Sequence, residues 1–201
     1  MTKKFNSVLI IGMGLIGSSI SRALIENHVA NNVYGLDSDS KVIKKCQNLN
    51  ILIQGETELK NFDFQFDLVI ICTPLSTYKQ IFQSLSEFVS QPTLVTDVGS
   101  TKMSTINDFK NIKENRNMTF IPSHPIAGLE KSGPEHGFSK LFDNRYCILT
   151  PYEKNDDSIN KISEMWKSIG MKIEIMDADR HDRVLAMTSH IPQLIAFSVV
   201  G

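Results

Sequence analysis

The sequence is poor in cysteine, has a single tryptophan and carries no surplus of either charge. Cys46, Cys72 and Cys147 lie far apart, two of them inside apolar runs, so a disulfide framework or a cysteine metal site is excluded. They read as buried thiols in a reducing cytosol. Lysine and arginine number 21 against 22 aspartate and glutamate, a formal net charge of -1. That balance leaves no basic footprint for nucleic acid or an anionic membrane, so any charged ligand has to be met locally. No apolar run reaches the roughly 18 residues of a spanning helix, and internal repeats and low-complexity tracts are absent. The start "MTKK…VLIIGMGLIG" imitates a secretory signal, but glycines break its apolar part and an amphipathic helix pattern follows. The expected location is therefore cytoplasmic.

What is present suits an ordinary globular chain of 201 residues, 41% of them hydrophobic: one large domain, or one domain and part of a second. Short β-rich runs alternate with helical patterns. "SVLIIG" precedes "LIGSSISRALIEN", "NVYGLD" precedes "DSKVIKKCQNLN", "FDLVIICTP" precedes "STYKQIFQSLSEFV", and "TLVTDVGS" precedes "TKMSTINDFKNI". Parallel neighbours need crossover connections, and a strand covered on both faces is apolar throughout, so the alternation predicts a doubly wound α/β fold with a mostly parallel sheet. Further strands are expected at "MTFIPSH", "RYCILTP" and "KIEIMD", with a crossover helix "DDSINKISEMWKSIG" that Gly170 stops.

The first predicted strand ends in Gly12-Met13-Gly14-Leu15-Ile16-Gly17, the dinucleotide fingerprint of a Rossmann-type fold placed between strand and helix. Gly12 permits the tight turn, Gly14 lets backbone approach a diphosphate, and Gly17 lets the helix pack on the strand. The N–H groups from Leu15 and Ile16 onward would then face the anion, aided by the helix dipole. A glycine pattern alone is weak evidence, but the second strand ends in Asp37, where a carboxylate can accept both ribose hydroxyls. That carboxylate would repel a 2'-phosphate and no arginine follows it in "LDSDSK", so the expected cofactor is NAD rather than NADP. The competing reading of Asp37 is a cap for the helix beginning near Ser38 or Asp39.

In open parallel sheets, ligands lie beyond the carboxyl ends of the strands. Three turns follow such ends: Thr73-Pro74, Asp97 to Lys102, and Ser123 to Gly128. Together they are expected to line one cleft. A nicotinamide takes hydride from a carbon bearing a hydroxyl, and that carbon releases hydride easily only as its hydroxyl loses a proton. A neutral imidazole, whose unperturbed pKa is about 6.5, suits that task, which makes His124 the candidate acceptor. Ser100 is placed to lie beside it, although after Gly99 and before a helix it also suits an N-cap.

These segments resemble a known family. "GMGLIGSS", "DVGSTK", "HPIAGLEKSGPEHGF", "YCILTP" and "MTSHIPQLIAF" are similar, in order and over nearly the whole chain, to the prephenate and arogenate (cyclohexadienyl) dehydrogenases of tyrosine biosynthesis. The resemblance implies an oxidative decarboxylation: hydride leaves C4 of the cyclohexadienyl ring for NAD, the ring carboxylate departs as carbon dioxide, and the ring becomes aromatic. It implies catalytic His124 and Ser100, substrate contacts from Glu130, Ser189 and His190, and no metal. Lys131 is the expected surface partner of Glu130. Where many relatives carry a second histidine this chain has Gln193, which cannot hold charge.

The resemblance also implies a NAD-binding domain over 1–177 and the beginning of an all-helical substrate and dimerisation domain over 178–201. That helix is expected to run from Ala178 to Gly201, kinked where Pro192 releases the Thr188 carbonyl, with Thr188 and Ser189 able to satisfy freed backbone groups. The family's arginine for the ring carboxylate would lie beyond Gly201, so the chain is expected to be a fragment of a homodimeric enzyme. Two other readings stand beside this one: a different NAD-linked hydroxy-acid dehydrogenase, and a NAD-binding module without turnover.

Overall fold

The computed structural model describes residues 5–112 and 117–190, the last two without their side chains. Pro192, Gln193 and the expected kink therefore lie outside the described residues.

Six strands form one parallel sheet in the order β3-β2-β1-β4-β5-β6. They are β1 (Phe5–Ile11), β2 (Ala30–Leu36), β3 (Gln54–Glu56), β4 (Leu68–Ile71), β5 (Thr93–Asp97) and β6 (Met118–Phe120). The crossovers are α1 (Leu15–Glu26), α2 (Ser40–Asn48), α3 (Tyr78–Phe88) and α4 (Met103–Lys110). In β1, Val8 and Ile10 join the core on one face of the sheet while Leu9 and Ile11 join the core on the other, and none is more than 4% exposed. Covering both faces is what makes the run apolar without alternation. Each such side chain contributes about 2 kcal/mol when buried.

One expectation about the later strands needs correcting. "MTFIPSH" is not a single strand, because the chain breaks at Pro122. Ile121 N–H still donates to Val95 O (2.9 Å), but the next N–H on that side, Ser123, donates to the Asp97 side chain (Oδ1, 3.0 Å) instead of to backbone, and the Pro122 carbonyl accepts from Thr150 N–H (3.0 Å). The following residues open a second sheet of three strands: β7 (Ser123–Pro125), β8 (Tyr146–Leu149) and β9 (Lys172–Ile175). β7 pairs antiparallel with β8, and β8 pairs parallel with β9. The short β3 was also not expected from the sequence.

The crossover between β8 and β9 is α5 (Asp156–Ser168), where Asn155 accepts the Ser158 N–H and Asp156 and Asp157 complement the helix dipole. Its Trp166 is fully buried against Phe142, and Gly170 follows at the helix stop. The next helix, α6 (Ala178–Leu185), is capped by Asp177 and continues into a π-turn over Ala186–His190. The helical geometry thus changes at Ala186, before the proline that the sequence singled out, and the Thr188 hydroxyl donates back to Val184 O (2.8 Å). All three cysteines are free thiols, and burial pushes Cys46 up to about 11.

No helix among the described residues is long and apolar enough to cross a membrane.

Candidate active site

The site is built at the carboxyl ends of β1, β2, β4 and β5 and at the start of β7. The turn from β1 into α1 comes first. Gly12 has φ +93°, a conformation that L side chains resist, and its N–H donates to Leu36 O (2.8 Å). A Cβ at Gly17 would sit 2.1 Å from Gly12 O, so only glycine lets α1 start this close to the turn. Gly14 differs: a Cβ there would meet nothing within 4 Å, which leaves its backbone open to approach. No side chain caps α1 and no acid occupies its first turn, so the Leu15, Ile16 and Gly17 N–H groups are available to an anion.

Asp37 follows β2 and faces this turn. Its Oδ2 accepts from Met13 N–H (2.8 Å) and its Oδ1 from Asp39 N–H (3.0 Å). Each oxygen keeps one further acceptor position, enough for a pair of vicinal hydroxyls. The cap of α2 is Asp39, which accepts from Lys41 N–H (2.8 Å), so the capping reading of Asp37 gives way to its neighbour. Gly12, Gly14, Asp37, Thr73 and Pro74 line a cavity of about 980 Å³ that extends toward α3. An uncapped helix end, an open backbone at Gly14 and a carboxylate with spare acceptor positions together fit a dinucleotide.

Beyond β5 the chain builds a buried ionic cluster. Asp97 and Lys102 are fully buried and paired at 2.6 Å. Asp97 Oδ2 also accepts from Gly99 N–H (2.9 Å), and its Oδ1 accepts from Ser123 N–H (3.0 Å). Lys102 Nζ donates a second bond to Ser123 O (2.7 Å). The pair therefore fixes the start of β7, and with it His124, against the end of β5. Burial pulls the Lys102 ammonium below the ordinary lysine value, against the attraction of Asp97. Ser100 is half-buried in the turn between them.

The expected capping role of Ser100 is not what the structure contains. Helix α4 begins at Met103, and its N-terminus is capped from α6: Asp182 Oδ1 accepts Lys102 N–H (2.8 Å) and Oδ2 accepts Met103 N–H (3.0 Å). A cap supplied from 80 residues away has no local sequence signal.

His124 is half-buried on β7, and its Nδ1 lies 2.9 Å from Nε2 of His181. The two rings meet edge to face, with centroids 5.1 Å apart. His181 is fully buried, and its Nδ1 lies 2.7 Å from Asp182 Oδ1. Burial lowers the pKa of His181, opposed by its bond to Asp182. Burial alone would raise the Asp182 carboxyl, but donations from Met103 and Lys102 N–H and from His181 outweigh it and hold it below the ordinary carboxylate value. His181, Asp182, Asp97 and Lys102 were not singled out as site residues from the sequence. The only signal in the sequence was position, since Asp97 ends β5 and Lys102 lies in the turn that follows; the helix from Ala178 was expected, but neither His181 nor Asp182 stood out in it.

Glu130 lies on an exposed loop, with no ion pair to Lys131 among the described residues, and joins none of these clusters. Ser189 and His190 lie in the π-turn after α6. No group of three or more potential metal-binding side chains occurs among the described residues.

The chain is similar to known proteins over most of its length. Residues 20–175 match the family model described as prephenate dehydrogenase, nucleotide-binding domain. A cyclohexadienyl dehydrogenase of Zymomonas mobilis subsp. mobilis is 34% identical over 98% of the chain, which spans 67% of that protein. A prephenate dehydrogenase of Bacillus subtilis is 29% identical over the whole chain, which spans 54% of its length. Among solved structures, prephenate dehydrogenase from A. aeolicus in complex with hydroxyphenyl propionate and NAD+ superposes with a TM-score of 0.92. The two are 33% identical, and the match covers all of this chain and 70% of that one. The chain belongs to the prephenate dehydrogenase family and contains its nucleotide-binding domain.

Proposed function

We propose that this chain is the cofactor-binding and proton-accepting part of a NAD-dependent dehydrogenase that oxidises prephenate, arogenate or both, with loss of the ring carboxylate as carbon dioxide. The observation that supports it most is the position of His124, tied by the Asp97–Lys102 pair to the end of β5, on the same carboxyl edge of the sheet as the glycine turn after β1. NAD supplies the hydride acceptor when bound. Gly12, Gly14, Leu15 and Ile16 would hold its diphosphate, Asp37 its ribose hydroxyls, and Thr73 and Pro74 would wall the cavity beside it.

His124 accepts the proton of the ring hydroxyl as hydride leaves the same carbon, and Ser100 lies beside that hydroxyl. Aromatisation of the product supplies the driving force, so the protein's task is to orient the ring and remove one proton. Ser189, His190 and Glu130 contribute to the substrate side. The helical substrate and dimerisation domain begins at 178, and the enzyme works as a cytoplasmic homodimer.

The test is His124→Asn in the full-length gene product, assayed with both substrates. The turnover rate is expected to fall by roughly a hundredfold or more, the usual cost of losing a general base. A rate within a few-fold of the native one overturns the assignment.

A further inference from the structure

The two histidines and Asp182 form a directional chain, and its direction follows from which atoms carry protons. Asp182 Oδ1 already accepts the Lys102 N–H and lies 2.7 Å from His181 Nδ1. An ionised carboxylate can only accept, so the proton of that bond belongs to His181 Nδ1. If His181 is neutral, its Nε2 is then bare and can only accept. Its partner 2.9 Å away is Nδ1 of His124, which must be the donor. A neutral His124 protonated on Nδ1 has Nε2 as its acceptor nitrogen.

We propose that α6 sets the proton-accepting state of His124: Asp182 holds His181 as its Nδ1–H tautomer, and His181 in turn holds His124 as its Nδ1–H tautomer, with Nε2 the proton acceptor. His181 and Asp182 are positioning residues that act through His124. The inference rests on the reading of His124 as proton acceptor. The reverse arrangement would give His124 a protonated Nε2 and require a doubly protonated His181 or a protonated Asp182. The complete burial of His181 opposes the first, and the two backbone N–H donors on Asp182 oppose the second. Among the described residues, the groups facing His181 are Asp182 from its own helix, Asp97 from the end of β5, Lys102 from the turn that follows, and His124 from β7. The same carboxylate caps α4, so α6 fixes both the acceptor ring and the turn that carries Ser100.

Long-range proton–nitrogen correlation spectra of the native chain, uniformly labelled with nitrogen-15 and saturated with NAD, report the tautomer without any substitution. Both rings are expected to show a protonated Nδ1 and a bare Nε2; a His124 protonated on Nε2 overturns the proposal. In the full-length gene product, His181→Leu removes the acceptor, whereas His181→Gln can place an amide oxygen near the former Nε2. The Leu variant is expected to lose at least about tenfold in kcat with little change in KM for NAD, and the Gln variant to recover most of that loss. Equal losses in both variants, or none in either, overturn the positioning role. His124→Asn separates the two claims: if it is harmless the underlying reading fails, and if it is damaging while His124 carries its proton on Nε2, only the tautomer proposal fails.

Discussion

At the scale of single residues, the site depends on charges taken out of water and then satisfied. Asp97 and Lys102 illustrate this, since both are fully buried and each bonds Ser123, which ties the start of β7 to the end of β5. Taking such a pair out of water costs most of what its attraction returns, but removing one partner strands the other. Lys102→Met is therefore expected to cost about 3–5 kcal/mol, measured by urea unfolding. The double variant Asp97→Asn, Lys102→Met should lose less than the sum of the two single changes. Strict additivity would show that the two side chains act independently. The ion pair was hidden in "DVGSTK": the spacing of Asp97 and Lys102 was visible, but a lysine after a strand is ordinarily a surface residue. Lys102 is buried only by long-range packing, with β7 and α6 both set against that turn.

At the scale of elements, the junction of β1 with α1 separates what folding needs from what the cofactor needs. A Cβ at Gly17 would press on the Gly12 carbonyl, so Gly17→Ala forces the helix away from the strand. The expected cost is about 1–3 kcal/mol without ligand, as for other overpacked positions. The stabilisation by NAD, about 2.7 kcal/mol at a hundred times Kd, should also be lost. Gly14→Ala tests the other half of the argument. Its Cβ meets no protein atom, so stability without ligand should stay within about 0.5 kcal/mol of the native value. Binding of NAD, followed by calorimetry, should nonetheless weaken, because the methyl would stand where the diphosphate approaches. If Gly14→Ala binds NAD normally, the proposed approach of the diphosphate is wrong.

At the scale of the whole molecule, α6 links the end of the described chain to the ends of β5 and β7 and carries a signature in pH. Burial keeps the folded pKa of His181 below its ordinary 6.5. As the pH falls past that value, the unfolded chain takes up a proton that the folded chain refuses, so stability declines with acidification. Asp182 behaves in the same sense at lower pH: its folded pKa lies below 3.8, and its contribution is lost as pH falls through that lowered value. The urea midpoint is therefore expected to drop between neutrality and about pH 5, and His181→Gln should flatten that slope. An unchanged slope in the variant would assign the acid sensitivity elsewhere.

The sequence by itself determined the parallel α/β sheet and the glycine turn, and it marked Asp37 and His124 as candidates. Apolar periodicity, glycine positions and strand-end residues are local properties, so they can be read along the chain. Tertiary structure alone decided that Pro122 ends one sheet and opens another, that Asp97 and Lys102 share a buried site, and that α4 is capped by Asp182. It also brought His181 against His124, a meeting of residues 57 positions apart. Contacts of that kind arise from the way helices and strand ends pack in space, and no stretch of sequence carries them.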